Sequence, residues 1–214
     1  MSHPFKANQT LLFIGDSITD CGREHPVGQR WNSLGGGYVS FVDSIMGAVI
    51  PGTPITVLNT GISGNRVTDL EARWQSDVLD LEPNWLSVMI GINDVWRQFD
   101  SESDAEQVEP EQYELVYSSL LEKTRSQLDG LVLMTPYFLE TNREDPMRLK
   151  MDAYGSITKK LAVQFDAIFV DTQATFDHYL ANQPTESLCA DRVHPNGLGH
   201  MILARAFLNA LGVS

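Results

Sequence analysis

Five short apolar runs alternating with amphipathic stretches of helical length constrain this chain more than any other feature. The runs are Leu11 to Ile14, Ile55 to Leu58, Leu86 to Ile90, Leu131 to Met134 and Ile168 to Val170. Each is too short for a helix and rich in bulky or β-branched residues, so each reads as a strand buried on both faces. Between and after them lie Tyr38 to Val49, Val67 to Leu81, Pro110 to Leu128, Met147 to Phe165 and Pro195 to Leu211. In the second of these, Val67, Leu70, Trp74, Val78 and Leu81 recur at three- and four-residue steps, which lines them along one helix face. Strands and helices in this order imply parallel pairing through right-handed crossovers, hence a three-layer α/β/α sandwich around a five-stranded parallel sheet. With 214 residues, 43% of them hydrophobic, one domain over residues 1–214 buries roughly 70% of the surface of its unfolded chain. No repeat, low-complexity tract or linker divides it.

The balance of charge and thiols narrows the class of partner. A formal charge of −13 repels phosphate backbones and anionic headgroups, which disfavours nucleic acid and membrane surfaces and favours an uncharged small molecule. The opening "MSHPFKANQT" is polar, and the apolar run after it is too short for a signal-peptide core or a membrane span. Cys21 and Cys189 are too few for a disulfide framework, so free thiols in a reducing cytoplasm are expected.

Ligands in such a sandwich collect at the carboxyl ends of the strands, and those ends carry the chemistry here. The first strand ends in Gly15-Asp16-Ser17, the second runs into "LNTGISGNR" (58–66), the third into "MIGINDVWR" (89–97), the fourth into "LMTPYF" (133–138), and "DRVHPNGLGH" (191–200) precedes the last helix. A serine hydroxyl is a weak nucleophile until a base takes its proton. Ser17 is placed for that role; the competing reading is a helix cap. Ser63 is the rival nucleophile, although "GISGN" does not fit a Gly-x-Ser-x-Gly elbow. Of five histidines only His194 has an acid three residues before it and a proline after it, and Pro195 suits the first position of a helix. A helix amino end disfavours an imidazolium, so Asp191 is expected as a buried carboxylate that orients His194 and offsets its charge. His200 is expected to pack or to face solvent, and a metal site from Asp191, His194 and His200 lacks a recognisable ligand spacing.

Acyl transfer also needs donors aimed at the developing oxyanion. The Ser17 N–H, the Gly64 N–H and the Asn93 side-chain amide are on offer; each alone also fits an ordinary turn or local hydrogen bond. Asp16 and Asp94 read as structural carboxylates that bond turn amides. Trp31 and Trp96 supply aromatic faces for a substrate ring, or pack in the core or at a subunit contact. The acidic run from Asp100 to Glu114 reads as a solvated segment, with a lid or an oligomer contact as the sharper alternative.

Gly15-Asp16-Ser17, Gly64, "GIND" with Asn93, and Asp191-x-x-His194 together resemble the four signature blocks of the SGNH, or GDSL-type, hydrolases, in that family's order and across residues 11–200. The resemblance implies a flavodoxin-like sandwich without a cofactor, Ser17 as nucleophile, Asp191 and His194 as the rest of a triad, and Ser17, Gly64 and Asn93 as oxyanion donors. The longer runs "GDSITDCGR", "MIGINDVWRQ" and "DRVHPNGLGHMILARAF" are similar to intracellular acetylxylan esterases and related carbohydrate deacetylases. That similarity implies a short-chain acetylesterase acting on acetylated xylo-oligosaccharides, in a subgroup whose members often form homo-oligomers. The alternatives are a short-chain carboxylesterase, lysophospholipase or thioesterase on the same triad, or a non-catalytic α/β binding module. A nucleotide or flavin binder is disfavoured because no phosphate loop is present.

Overall fold

The computed structural model describes residues 3–100 and 107–213. Strand β1 (Thr10–Gly15) is central: it pairs in parallel with β3 (Thr56–Asn59) on one side and β4 (Trp85–Met89) on the other, and β5 (Gly130–Met134) and β6 (Ile168–Val170) extend the sheet in parallel. Leu11, Leu12, Phe13 and Ile14 are all buried, as a strand covered on both faces requires. The five expected strands are all present, in the order β3-β1-β4-β5-β6. A sixth, β2 (Gly28–Gln29), pairs antiparallel with Leu58 and Asn59 at the β3 edge and corrects the five-stranded count. Two residues without an apolar run carry no periodicity, so sequence gives no warning of such an edge.

Helices α2 (Tyr38–Val49) and α8 (Gly197–Ala210) pack together on one face of the sheet, with α7 (Thr172–Leu180) against α8. Helices α3 (Val67–Asp77), α5 (Pro110–Thr124) and α6 (Pro146–Gln164) pack in series on the other, and α4 (Ile92–Asp100) leans on α6. One contiguous apolar core joins the layers. The four-residue α1 (Ser17–Asp20) and α7 lie in stretches too short or too polar to show a helical stripe, whereas α4 carries one, Ile92, Val95, Trp96 and Phe99 at three- and four-residue steps. Expected helix ends shift by a turn where 3₁₀ segments follow α3 (Leu79–Leu81) and α5 (Arg125–Gln127).

Two local choices fix the rim. Gly15 sits where a Cβ would lie 2.3 Å from the Met89 carbonyl oxygen and 2.5 Å from Thr19 Oγ1, so only glycine lets β1 and β4 stay paired up to the turn. Helix α8 begins after Asn196, whose Oδ1 accepts the Leu198 and Gly199 N–H groups. Pro195 therefore stands one residue before the cap and not at the first helical position, because the asparagine side chain satisfies the orphan donors there.

Candidate active site

The chain turns sharply at the end of β1, and Asp16 caps the short helix that follows by accepting the Ile18 N–H at 3.0 Å. The capping task thus falls to Asp16 and leaves the Ser17 hydroxyl for another partner, which is His194 Nε2 at 2.9 Å. His194 Nδ1 lies 2.7 Å from Asp191 Oδ2. An ionised carboxylate only accepts, so the proton sits on Nδ1 and Nε2 is left to accept the Ser17 O–H. The other Asp191 oxygen takes the Val193 and His194 backbone N–H groups at 3.0 and 2.9 Å, which folds residues 191–194 into a turn around the carboxylate. Burial acts to raise the Asp191 carboxyl, and hydrogen bonds from the His194 ring and from the two amides outweigh it, holding Asp191 below the usual carboxylate range.

Asp191 was expected to be buried, and it is not: its side chain is 43% exposed and that of His194 46%. The carboxylate is positioned by backbone donors instead of by exclusion from water. His200 packs against the cleft wall, where Nδ1 accepts the Tyr38 N–H at 3.2 Å and Nε2 lies 3.5 Å from Cys21 Sγ. Burial, aided by the nearby His194, brings its pKa down to about 4. A neutral ring with both nitrogens engaged has no lone pair to share with Asp191 and His194. Among the described residues no cluster of three or more His, Cys, Asp or Glu side chains is placed to hold a metal ion.

Residues 62–65 make a tight turn closed by the Asn65 N–H to the Ile62 carbonyl, and Gly64, in its third position, has φ of +82°, the value a type II turn demands. Ser63 is taken out of contention as nucleophile: its hydroxyl and its N–H both donate to Asp20 Oδ2, at 2.7 and 3.0 Å. Asn93, on the first turn of α4, is buried and donates to the Asn65 carbonyl at 3.0 Å, which leaves its second amide hydrogen for the cleft. Among the described residues neither the Ser17 nor the Gly64 N–H has an intramolecular acceptor. Ser17, Gly64, Asn93 and His194 line one cleft of about 550 Å³.

The cleft wall is aromatic on one side: the Trp96 ring lies 5.8 Å from the His194 ring, tilted by 55°. The Arg97 guanidinium stands 5.9 Å from the Trp96 ring centre and pairs with Asp100 at 2.8 Å. Arg97, Ile18, Cys21 and Pro195 also line the cleft; each falls beside a motif residue, and adjacency was their one signal in the sequence. The side chain of Trp31 and residues 101–106 of the acidic run lie outside the described residues. The later part of that run is anchored, since Val108 and Tyr113 are buried. A larger groove of about 850 Å³ between α7 and α8 contains His178 and Thr175 but, among the described residues, no paired nucleophile and base.

A parallel α/β/α sandwich with a serine, an oriented imidazole, a carboxylate and convergent donors at its carboxyl rim defines a serine hydrolase of the acyl-transfer class. A sequence profile described as the GDSL-like lipase/acylhydrolase family matches residues 13–202. The chain is 50% identical over 208 residues to an acetylxylan esterase of Geobacillus stearothermophilus, covering 96% of this chain and 95% of that one. The crystal structure of Axe2, an acetylxylan esterase from the same organism, superposes with a TM-score of 0.97 at 48% identity, over 99% of this chain and 97% of the other. LAE5, an α/β hydrolase from the metagenome of Lake Arreo, Spain, does so with a TM-score of 0.96 at 44% identity, over 99% of both chains. The chain belongs to the GDSL-like lipase/acylhydrolase family and is a carboxylic ester hydrolase.

Proposed function

We propose that the chain is an acetylesterase that removes acetyl groups from acetylated xylo-oligosaccharides through an acetyl-enzyme on Ser17. The observation that carries this reading is the unbroken line Ser17 Oγ, His194 Nε2, His194 Nδ1, Asp191 Oδ2, with separations of 2.9 and 2.7 Å. Solved structures of Axe2 include catalytic mutants in which a serine, a histidine or an aspartate is replaced by alanine, which supports the same three roles here.

In this mechanism Ser17 Oγ gives its proton to His194 Nε2 as it bonds to the acetyl carbonyl carbon. The carbonyl oxygen takes the negative charge and meets the Ser17 and Gly64 N–H groups and the Asn93 amide. Collapse breaks the bond to the sugar oxygen, which leaves with the proton from His194. Water then loses a proton to His194 as it attacks the acetyl-serine, and acetate departs with Ser17 restored. Trp96 offers its face to the sugar ring. Trp31 remains a candidate for the same face on its sequence position alone.

The experiment is acetate release from acetylated xylo-oligosaccharides, set beside a series of chromogenic esters of increasing acyl length. Turnover of the sugar together with preference for acetyl over butyryl and longer esters is expected. Preference for octanoyl esters, or no acetate from any acetylated sugar, replaces this reading with a lysophospholipase, thioesterase or general carboxylesterase on the same triad. No turnover of any ester points to a binding module. Among the described residues no helix is long and apolar enough to cross a membrane. The unpaired thiols of Cys21 and Cys189 support a cytoplasmic setting. The homo-oligomer that the resemblance implies is tested by mass measurement in solution.

A further inference from the structure

The geometry points to Arg73, on α3 and outside the cleft, as the residue that positions the Asn93 oxyanion donor relative to the nucleophile. Its guanidinium binds three segments of the rim at once. Nη2 donates to the Gly15 carbonyl at 3.1 Å, two residues before Ser17. Nη1 donates to the Thr60 carbonyl at 2.6 Å, just past the end of β3, and to Asp77 Oδ2 at 2.6 Å. Nε donates to Asn65 Oδ1 at 2.7 Å. Asn65 is the residue whose carbonyl holds the Asn93 amide and which follows Gly64.

One fork thus ties the end of β1, which carries the nucleophile, to the turn that carries one donor and orients another. The side chain is 13% exposed and its Asp77 partner 20%, so this network is shielded, and a planar guanidinium with fixed donor directions suits it. A lysine retains the charge, but its three donors radiate from a single nitrogen and do not span the separated Gly15, Thr60 and Asn65 oxygens as the planar guanidinium does. Arg73 touches no reacting atom. Its action runs through Asn65 to Asn93, and misplacing an oxyanion donor by a fraction of an ångström slows the chemical step more than it weakens substrate binding.

This assignment rests on the esterase reading above, and a double-mutant cycle separates the two. Arg73→Lys is expected to lower kcat on a chromogenic acetate by about tenfold to a hundredfold while KM stays within about threefold. In an Asn93→Ala background the same substitution is expected to lower kcat by less than about threefold, because the donor it positions is already gone. Asn65→Ala, which removes the Nε acceptor and leaves the carbonyl, is expected to show the same non-additivity with a smaller loss, and it stands in if Arg73→Lys fails to fold. Arg125 binds the Phe165, Leu128 and Asp166 carbonyls at the opposite edge of the sheet; Arg125→Lys is expected to lower Tm and leave kcat unchanged. Equal factors for the Arg73 substitution in both backgrounds, or a fall in Tm with kcat intact, overturn the positioning role alone. Full kcat in Asn93→Ala overturns the oxyanion reading and the inference with it.

Discussion

Asp191 and Asp94 each accept backbone N–H groups at the catalytic rim, and their surroundings differ in every other respect. Asp191 is 43% exposed, takes two amides and an imidazole, and is held ionised. Asp94 is fully buried; Oδ1 accepts the Val67 N–H at 3.0 Å at the start of α3, and Oδ2 has no partner among the described residues. Burial, reinforced by the nearby Asp16, lifts the Asp94 carboxyl to about 7. Asp16, buried under the α1 cap, is raised to about 7 as well. In the proposed mechanism Asp191 faces a transient imidazolium and has to be charged, and solvent and backbone donors keep it so. The buried pair belongs to the framework that shapes the rim, where a proton is tolerated. Chemistry on one side of the cleft is therefore wet, and geometry on the other is dry.

The comparison predicts a graded loss of activity. Ser17→Ala is expected to lower kcat on a chromogenic acetate by about 10⁵-fold or more, and a serine-directed sulfonyl fluoride is expected to label Ser17 by peptide mass. A label confined to Ser63 or Cys21 moves the nucleophile. Asp191→Asn should lower kcat by about a thousandfold, by upsetting the His194 tautomer. Water has access to that imidazole, so the loss is expected to be smaller than for the serine. A loss as large as that of Ser17→Ala would mean that exposure of Asp191 has no consequence. Asn93→Ala is expected to lower kcat by about a hundredfold with KM little changed, since its free amide hydrogen binds charge present in the transition state alone.

How far sequence reaches is visible in the same residues. The runs Leu11 to Ile14 and Leu131 to Met134 announce buried strands because a strand covered on both faces has no polar alternation to disguise it. Ser17, Gly64, Asn93, Asp191 and His194 are legible because strand ends in a parallel sheet converge, so residues far apart in the chain are forced onto one rim. What sequence missed depends on solvent access and on long-range hydrogen bonds. Asp191 is half-exposed at the rim, and its burial cannot be inferred from an Asp-x-x-His spacing. Arg73 reads as one more charge on an amphipathic helix until Gly15, Thr60 and Asn65 are seen beneath it. The helix starting at Ile92 is legible in the stripe Ile92, Val95, Trp96 and Phe99; what that pattern conceals is that Asn93 and Asp94 on its first turn are buried, since an amphipathic pattern counts polar residues as solvent-facing.

The smallest effect concerns stability, and its sign distinguishes the two aspartates. Asp94 has its carboxyl at about 7 when folded and an ordinary value near 3.8 when unfolded. The folded state then holds a proton that the unfolded chain releases as pH rises from about 4 to about 7. Stability from this group is present below pH 4, is lost through that interval, and is flat above it. Asp94→Asn keeps the Oδ1 acceptor for the Val67 N–H and removes the ionisation. Against wild type the variant is expected to gain stability as pH goes from 4 to 8, by on the order of 1–4 kcal/mol, read as a Tm difference that opens with pH. Its kcat should stay within about threefold of wild type, because Asp94 bonds the framework and not the acyl group. Asp191→Asn is expected to show the opposite sign: a carboxyl depressed in the folded state contributes stability above its ordinary range and loses it as pH falls. A Tm difference for Asp94→Asn that is constant from pH 4 to 8 would show that this carboxylate is charged in its dry site, with a cation or donor opposite Oδ2.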